Sequence, residues 1–154
     1  MNTLVIYCSR TGNTEKVVQF MGKKINADVI STDQISDEDI IGRKLIGLAS
    51  GIYWGRHDKS IFNASEKIPK DCGVFIISTS GFRIPLFVKV YTYLLKRKLR
   101  QLGLILVGQW HCPGHDKSKD LLFRWFNISE GRQNESDFAD AEKFILKLEH
   151  TETV

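Results

Sequence analysis

Apolar residues follow two alternating patterns along the chain, short continuous runs and longer stretches at helical spacing. The first run, Leu4-Val5-Ile6-Tyr7-Cys8 within residues 3–8, reads as a buried strand. From Asn13 to Ile25, Val17, Val18, Met21 and Ile25 recur at the spacing of one helix face. Ala27 to Ser31 reads as a brief strand, and the acidic stretch Asp33 to Ile41 as a loop with a helical turn. Leu45-Ile46-Gly47-Leu48-Ala49 is a third strand that ends at the break signal Ser50-Gly51. Residues 59–67 form a short helix stopped near Pro69. Val74-Phe75-Ile76-Ile77 is a fourth strand, running out into Ser78-Thr79-Ser80-Gly81. Residues 86–101 read as a long helix with Leu86, Val90, Tyr93, Leu94 and Leu95 on its inner face. Leu104 to Val107 is a fifth strand. A long connection from about His111 to Gln133, helical near Leu121 to Phe126, leads to a last helix over 134–148. Asn134 is its expected N-cap, with Asp137 completing an imperfect capping box.

Continuous apolar strands are those covered on both faces. Their alternation with helices calls for an α/β fold, a parallel sheet with helices on either side. No repeat, low-complexity tract or linker divides the 154 residues, so residues 1–154 are expected to form one domain. In such sheets ligands bind beyond the carboxyl ends of the strands, where the strand order reverses.

Composition narrows the class. With 42% hydrophobic and 26% charged residues the chain reads as a soluble globular protein, and no apolar run approaches the roughly 20 residues of a membrane span. The N-terminus runs directly into a strand without a secretory pattern, so a cytoplasmic location is expected. Lys and Arg number 22 against 18 acids, a net charge of +4 that suits an acidic protein partner or an anionic cofactor. Aromatics interleaved with basic residues, as single-stranded nucleic acid requires, are absent, and no nucleic-acid partner is expected. The run Lys96-Arg97-Lys98-Leu99-Arg100 ends a helix, where cations suit the dipole. Its two readings are a solvated face and a docking face for an acidic partner. Three cysteines without a CxxC pair argue against a disulfide framework. Cys8 and Cys72 read as buried thiols. Cys112, beside His111, lacks the base and orienting group that a nucleophile requires. No His/Cys/Asp cluster has metal-ligand spacing, so no metal is expected.

The chemistry-bearing residues collect after the strands. The first strand runs into Ser9-Arg10-Thr11-Gly12-Asn13-Thr14 at the start of a helix. Three hydroxyls, an amide and the N–H groups of a first helical turn face one small space there, which favours a phosphate. Ser50-Gly51-Ile52-Tyr53-Trp54-Gly55-Arg56-His57 follows the third strand, Ser78 to Phe82 the fourth, and Gln109 to Gly114 the fifth. A phosphate at one end and aromatic faces beside glycines at the other describe a mononucleotide site.

The loop Ser-x-Thr-Gly-Asn-Thr resembles the phosphate loop of flavodoxins, which bind FMN. The stretch from Ser50 to Ser60, the Ser78-Thr79-Ser80-Gly81 loop and the segment Gly131-Arg132-Gln133-Asn134-Glu135-Ser136-Asp137 are similar to a subgroup of short flavodoxin-like proteins. The resemblance covers most of the chain. It implies a doubly wound five-stranded parallel sheet of order 2-1-3-4-5 with helices on both faces, and FMN as cofactor. Ser9, Thr11, Asn13 and Thr14 would hold the phosphate, Gly12 would let the backbone turn around it, and Arg10 would add positive charge. The segment Ser50-Gly51-Ile52-Tyr53-Trp54-Gly55 would border the ring. Tyr53 or Trp54 would stack on it, and the backbone at Gly51 or Gly55 would face the flavin N5. Ser78, Thr79, Ser80, Gly81 and Phe82 would border its pyrimidine side, with Phe82 the candidate second stacking group. Typical flavodoxins are acidic, whereas this chain is basic. Arg56, His57 and Arg83 in the loops near the ring are expected to raise the flavin potential by Coulombic attraction.

The reading is an FMN-binding electron carrier between redox partner proteins, in which no side chain acts as acid, base or nucleophile. The alternative is an FMN-dependent oxidoreductase reducing a quinone or another small molecule. A phosphoacceptor signalling module would need paired acids after the first strand, where Cys8-Ser9 stands instead.

Overall fold

The computed structural model describes residues 2–80, 85–113 and 135–151. β1 (Thr3–Cys8), β2 (Asp28–Ser31), β3 (Leu45–Tyr53), the two-residue β4 (Arg56–His57), β5 (Gly73–Ser80) and β6 (Ile105–Pro113) alternate with α1 (Asn13–Ile25), α2 (Asp37–Ile40), α3 (Lys59–Ser65), α4 (Pro85–Gln101) and α5 (Glu135–Thr151). The sheet order is β2-β1-β3-β5-β6, and these neighbours pair in parallel. With β4 set aside as a hairpin arm on β3, this is the order 2-1-3-4-5 expected from the sequence.

Strand residues alternate between two cores, as period two requires. Leu4, Ile6, Ile46, Leu48, Val74 and Ile76 face α3 and α4, meeting Ile61, Leu95 and Leu99. Val5, Leu45, Phe75 and Ile77 face the other way, onto Val17, Val18 and Met21 of α1 and Ala141 and Ile145 of α5. No helix among the described residues is long and apolar enough to cross a membrane.

Three strands run further than the sequence implies. β3 continues through Ser50-Gly51 to Tyr53 because β5 pairs with it at Gly51↔Thr79 and β4 at Ile52↔His57. β5 extends to Ser80, paired with Pro113, so Ser78, Thr79 and Ser80 are strand residues. β6 takes in Gln109 to Pro113, absorbing a bulge at Val107 opposite Val74/Phe75. Cys112 is consequently fully buried, as is Cys72, while Cys8 is partly covered.

The inner face expected for α4 is also revised. Leu95 is buried, but Val90, Tyr93 and Leu94 are exposed, and Thr92 and Leu99 complete the covered stripe. The reason is that α4 carries apolar side chains all round, so spacing alone does not select the face that meets β3 and β5. On β6, Ile105, Leu106 and Val107 are exposed because the strand forms one edge of the sheet. The expected side-chain role of Leu86, the helix near Leu121 to Phe126 and the Asn134 cap lie outside the described residues.

Gly47 and Phe75 are register partners on β3 and β5, and the Phe75 ring lies across the glycine. A Cβ at position 47 would stand 2.5 Å from that ring, which also meets Phe144 edge-on at a 6.2 Å centroid distance. Gly47→Ala is therefore expected to cost about 1–3 kcal/mol by overpacking, read as a lowered urea midpoint at unchanged m-value.

Candidate functional site

β1 delivers Ser9 to the start of α1, and the turn between them is made by Gly12 at φ 81°. Positive φ costs an L side chain energy, and glycine avoids that cost. The N-cap of α1, Gly12, offers no side-chain cap, and Glu15 is the acidic residue of the first turn, so the first N–H groups remain a favourable place for an anion. The Ser9 hydroxyl is buried and, among the described residues, has no hydrogen-bond partner. A buried polar atom without a partner is costly, which a bound anion at this turn would relieve. Arg10 and Thr11 are exposed, and Asn13 and Thr14 are buried. The Thr14 hydroxyl meets that of Thr79 at 2.8 Å, tying the start of α1 to the end of β5.

β3 and β4 form a hairpin whose two-residue loop is Trp54-Gly55. Both residues have positive φ, 52° and 75°, the signature of a type I′ turn. Glycine adopts this freely, but a tryptophan there is strained. Trp54 is 99% exposed, so none of its burial in this chain compensates the strain.

Tyr53 turns the other way. Its hydroxyl accepts a hydrogen bond from the Arg10 backbone N–H at 3.0 Å, and its ring lies against Gly51. The Arg10 guanidinium covers the ring at 4.3 Å from the centroid and donates to Asp58 at 2.7 Å. Asp58 in turn caps α3, accepting from the Ser60 N–H at 3.0 Å. Burial alone would raise its pKa. The Ser60 and Arg10 hydrogen bonds outweigh that and hold the carboxyl below its ordinary value. Burial raises the Tyr53 phenol, against the opposing pull of the Arg10 N–H.

Beneath this loop His57 bridges the ends of two strands. Its Nδ1 is 2.8 Å from the Ser50 Oγ of β3 and its Nε2 3.1 Å from the Ser78 Oγ of β5. The Ser50 hydroxyl donates to the Gly51 carbonyl at 2.9 Å and accepts from the Asp58 N–H at 3.3 Å. It has no second proton, so Nδ1–H donates to Ser50 and Nε2 accepts from Ser78. The ring is 1% exposed, and burial, then repulsion from His111, lowers its pKa to about 4. His57 is thus a buried neutral group on a strand, and the expectation of a loop cation at this position is corrected. Arg10 is paired with Asp58, so Arg56, exposed on β4, is the described cation of these loops with no carboxylate partner.

The structure brings Ser9 to Thr14, Ser50 to Gly55 and Ser78 to Ser80 to one end of the sheet. Ser50, Ser78, Thr79 and Ser80 are all buried there, and Ser80 reaches His111 Nε2 at 3.3 Å. Ile52, beside Tyr53, is partly exposed. Gly81, Phe82, Arg83 and Gly114 lie outside the described residues, as does Gly131 to Asn134. Trp110 packs against the core between the sheet, α1 and α5. Sequence reasoning missed Asp58 and the bridging role of His57. Asp58-x-Ser60 before an apolar run was the available signal for a helix cap. Nothing local announces a histidine held between Ser50 and Ser78.

No family model matches the chain. The uncharacterized protein MJ0298 of Methanocaldococcus jannaschii is 35% identical over 151 residues, covering 96% of this chain and 98% of that protein. Among solved structures, flavodoxin 2 from Bacillus cereus matches with a TM-score of 0.70 at 16% identity, covering 98% of this chain and 99% of its own. A flavodoxin from the domain Archaea gives 0.67 at 14% identity, with 98% of both chains covered. The NADH:FMN oxidoreductase EMOB gives 0.61 at 12% identity, over 96% of this chain and 90% of that one. At these identities the structural matches establish the fold, which is flavodoxin-like.

The His57 bridge has a pH signature. Between the ordinary 6.5 and the folded-state value of about 4, the unfolded chain binds a proton that the folded chain refuses. The associated stability is complete above about pH 6.5 and is lost as pH falls toward 4, on the order of 3 kcal/mol in all. His57→Gln keeps hydrogen-bonding capacity and does not titrate. Urea unfolding at pH 7 and pH 5 is expected to show a clearly smaller stability difference in this variant. An equal difference in both proteins would place the titration elsewhere.

Proposed function

We propose that this chain, which belongs to one family with the Methanocaldococcus protein and has a flavodoxin-like fold, binds FMN and passes electrons between protein partners. The observation that carries this reading is the end of β1. A helix start whose N-cap, Gly12, offers no side chain, a glycine turn at positive φ and a buried Ser9 hydroxyl with no partner among the described residues stand together beside the Trp54-Gly55 turn. Those residues fit a phosphate on one side and a planar ring on the other.

FMN, when bound, supplies the one- and two-electron chemistry. In this reading Ser9, Thr11 and the first-turn N–H groups of α1 hold the phosphate. Thr14, anchored on Thr79, fixes where that turn stands relative to β5. Tyr53 braces the loop through the Arg10 N–H and leaves ring stacking to Trp54, whose exposed side chain gains cover from the ligand. The Gly51 carbonyl is engaged by Ser50, so Gly55 in the turn is the candidate to face the flavin N5. Two of the described titratable groups nearby are committed to structure. His57 is neutral between two serines and Asp58 is paired with Arg10, which supports a carrier that needs no acid or base of its own.

The test compares FMN with riboflavin, which lacks the phosphate. FMN is expected to bind and quench its fluorescence at least tenfold more tightly than riboflavin. Gly12→Val forces a β-branched residue toward positive φ, costs about 1–2 kcal/mol, and is expected to reduce that preference about tenfold. Equal affinity for the two flavins, or none for either, would end the reading. Steady turnover of a nicotinamide donor with a quinone, without any second protein, would move it to an oxidoreductase.

A further inference from the structure

The basic character of this chain is concentrated in one helix. α4 carries Lys89, Lys96, Arg97, Lys98 and Arg100 and no acidic residue. The other 137 residues hold 17 basic and 18 acidic side chains, so α4 supplies the net positive charge. Thr92, Leu95 and Leu99 cover the core. The opposite stripe is open. Val90 is 57% exposed and Tyr93 53%, with Leu94 beside them. Lys98 turns aside to Glu66 at 2.6 Å. Among the described residues, Lys89, Lys96, Arg97 and Arg100 have no carboxylate partner.

This stripe adjoins the candidate flavin site. A Cβ on Gly55 would stand 3.7 Å from the Tyr91 ring, so the Trp54-Gly55 turn rests against the N-terminal half of α4. At 1.5 Å per residue, Arg97 and Arg100 lie roughly 9 and 14 Å further along the helix. An apolar centre with an aromatic residue, flanked by cations without a described carboxylate partner, is the composition of a protein-docking face. Four cations around exposed apolar side chains fit nucleic acid less well, since phosphate contacts there dominate affinity and no apolar centre is required.

We propose that the outer face of α4 is the docking surface for an acidic electron-transfer protein. Val90, Tyr93 and Leu94 form the contact centre, and Lys96, Arg97 and Arg100 steer the approach. The surface stands on the charge and exposure of α4, while its redox purpose rests on the FMN reading. In the coupled step the reduced partner loses one electron, the bound flavin gains it, and no bond forms or breaks.

A strongly acidic [2Fe–2S] ferredoxin serves as the probe, titrated calorimetrically against the full chain, with flavin content read from the visible spectrum of the same sample. Wild-type affinity is expected to fall at least tenfold between roughly 20 and 200 mM salt, as the Debye length shortens. K96E/R97E/R100E is expected to weaken binding at least tenfold at low salt, with unchanged circular dichroism and flavin content. Tyr93→Ser is expected to weaken it several-fold at both salt concentrations, because the contact it removes is apolar. Charge-reversed protein that binds the ferredoxin as wild type does would overturn the proposal. So would a wild type that ignores the ferredoxin and instead binds duplex DNA or phosphatidylserine vesicles through these cations. Flavin-free protein that binds the ferredoxin with the same salt and variant dependence would uphold the surface and remove the FMN reading.

Discussion

The parallel pairing of β1 with β3, in register from Thr3↔Leu45 to Cys8↔Ser50, is the contact on which the rest of the molecule depends. Parallel strands cannot be joined by a tight turn, so each connection must cross a face of the sheet. The crossovers bury Leu4, Ile6, Ile46 and Leu48 on one side and Val5, Leu45 and Ala49 on the other. They also bring β1, β2, β3, β5 and β6 back pointing the same way. Ser9, Ser50 and Ser78 therefore arrive at one end of the sheet, though they are distant in sequence.

At that end the protein invests in polar bridges between elements. His57 joins Ser50 to Ser78, Thr14 joins Thr79, and Arg10 joins Tyr53 and Asp58. In the first of these bridges the serine hydroxyls leave His57 one consistent tautomer. Amid these bridges, Ser9 Oγ is a buried hydroxyl with no hydrogen-bond partner among the described residues, and it stands at a helix start, where an anion is favoured. The strained, exposed Trp54 is the second departure from local preference in the same region. Departures of this kind collect where a protein serves a ligand rather than its own stability.

How much of this was legible in the sequence depends on whether neighbours or local pattern decide the outcome. β1 and α1 were readable because Leu4 to Cys8 and Val17, Val18, Met21 and Ile25 match their periods without ambiguity. The turn from Ser9 to Thr14 was readable because hydroxyls, glycine and a helix start are local signals. The full length of β3 was not. Ser50-Gly51 reads as a break, and only pairing with β5 and β4 carries the strand through it. The buried face of α4 was hidden because Val90, Tyr93 and Leu94 are as apolar as the residues that are covered. His57 read as a loop residue because its two partners lie 7 and 21 positions away.

The central claim is that the start of α1 is a phosphate site, with the Trp54 turn covering what the phosphate carries. A titration of ¹⁵N-labelled protein with FMN addresses it residue by residue. The amide signals of Arg10, Gly12, Asn13 and Thr14 and the Trp54 indole signal should move together with one saturating midpoint, while those of β2 stay in place. Shifts confined to other surfaces, or Ser9–Thr14 amides that stay still as FMN saturates, would contradict the account.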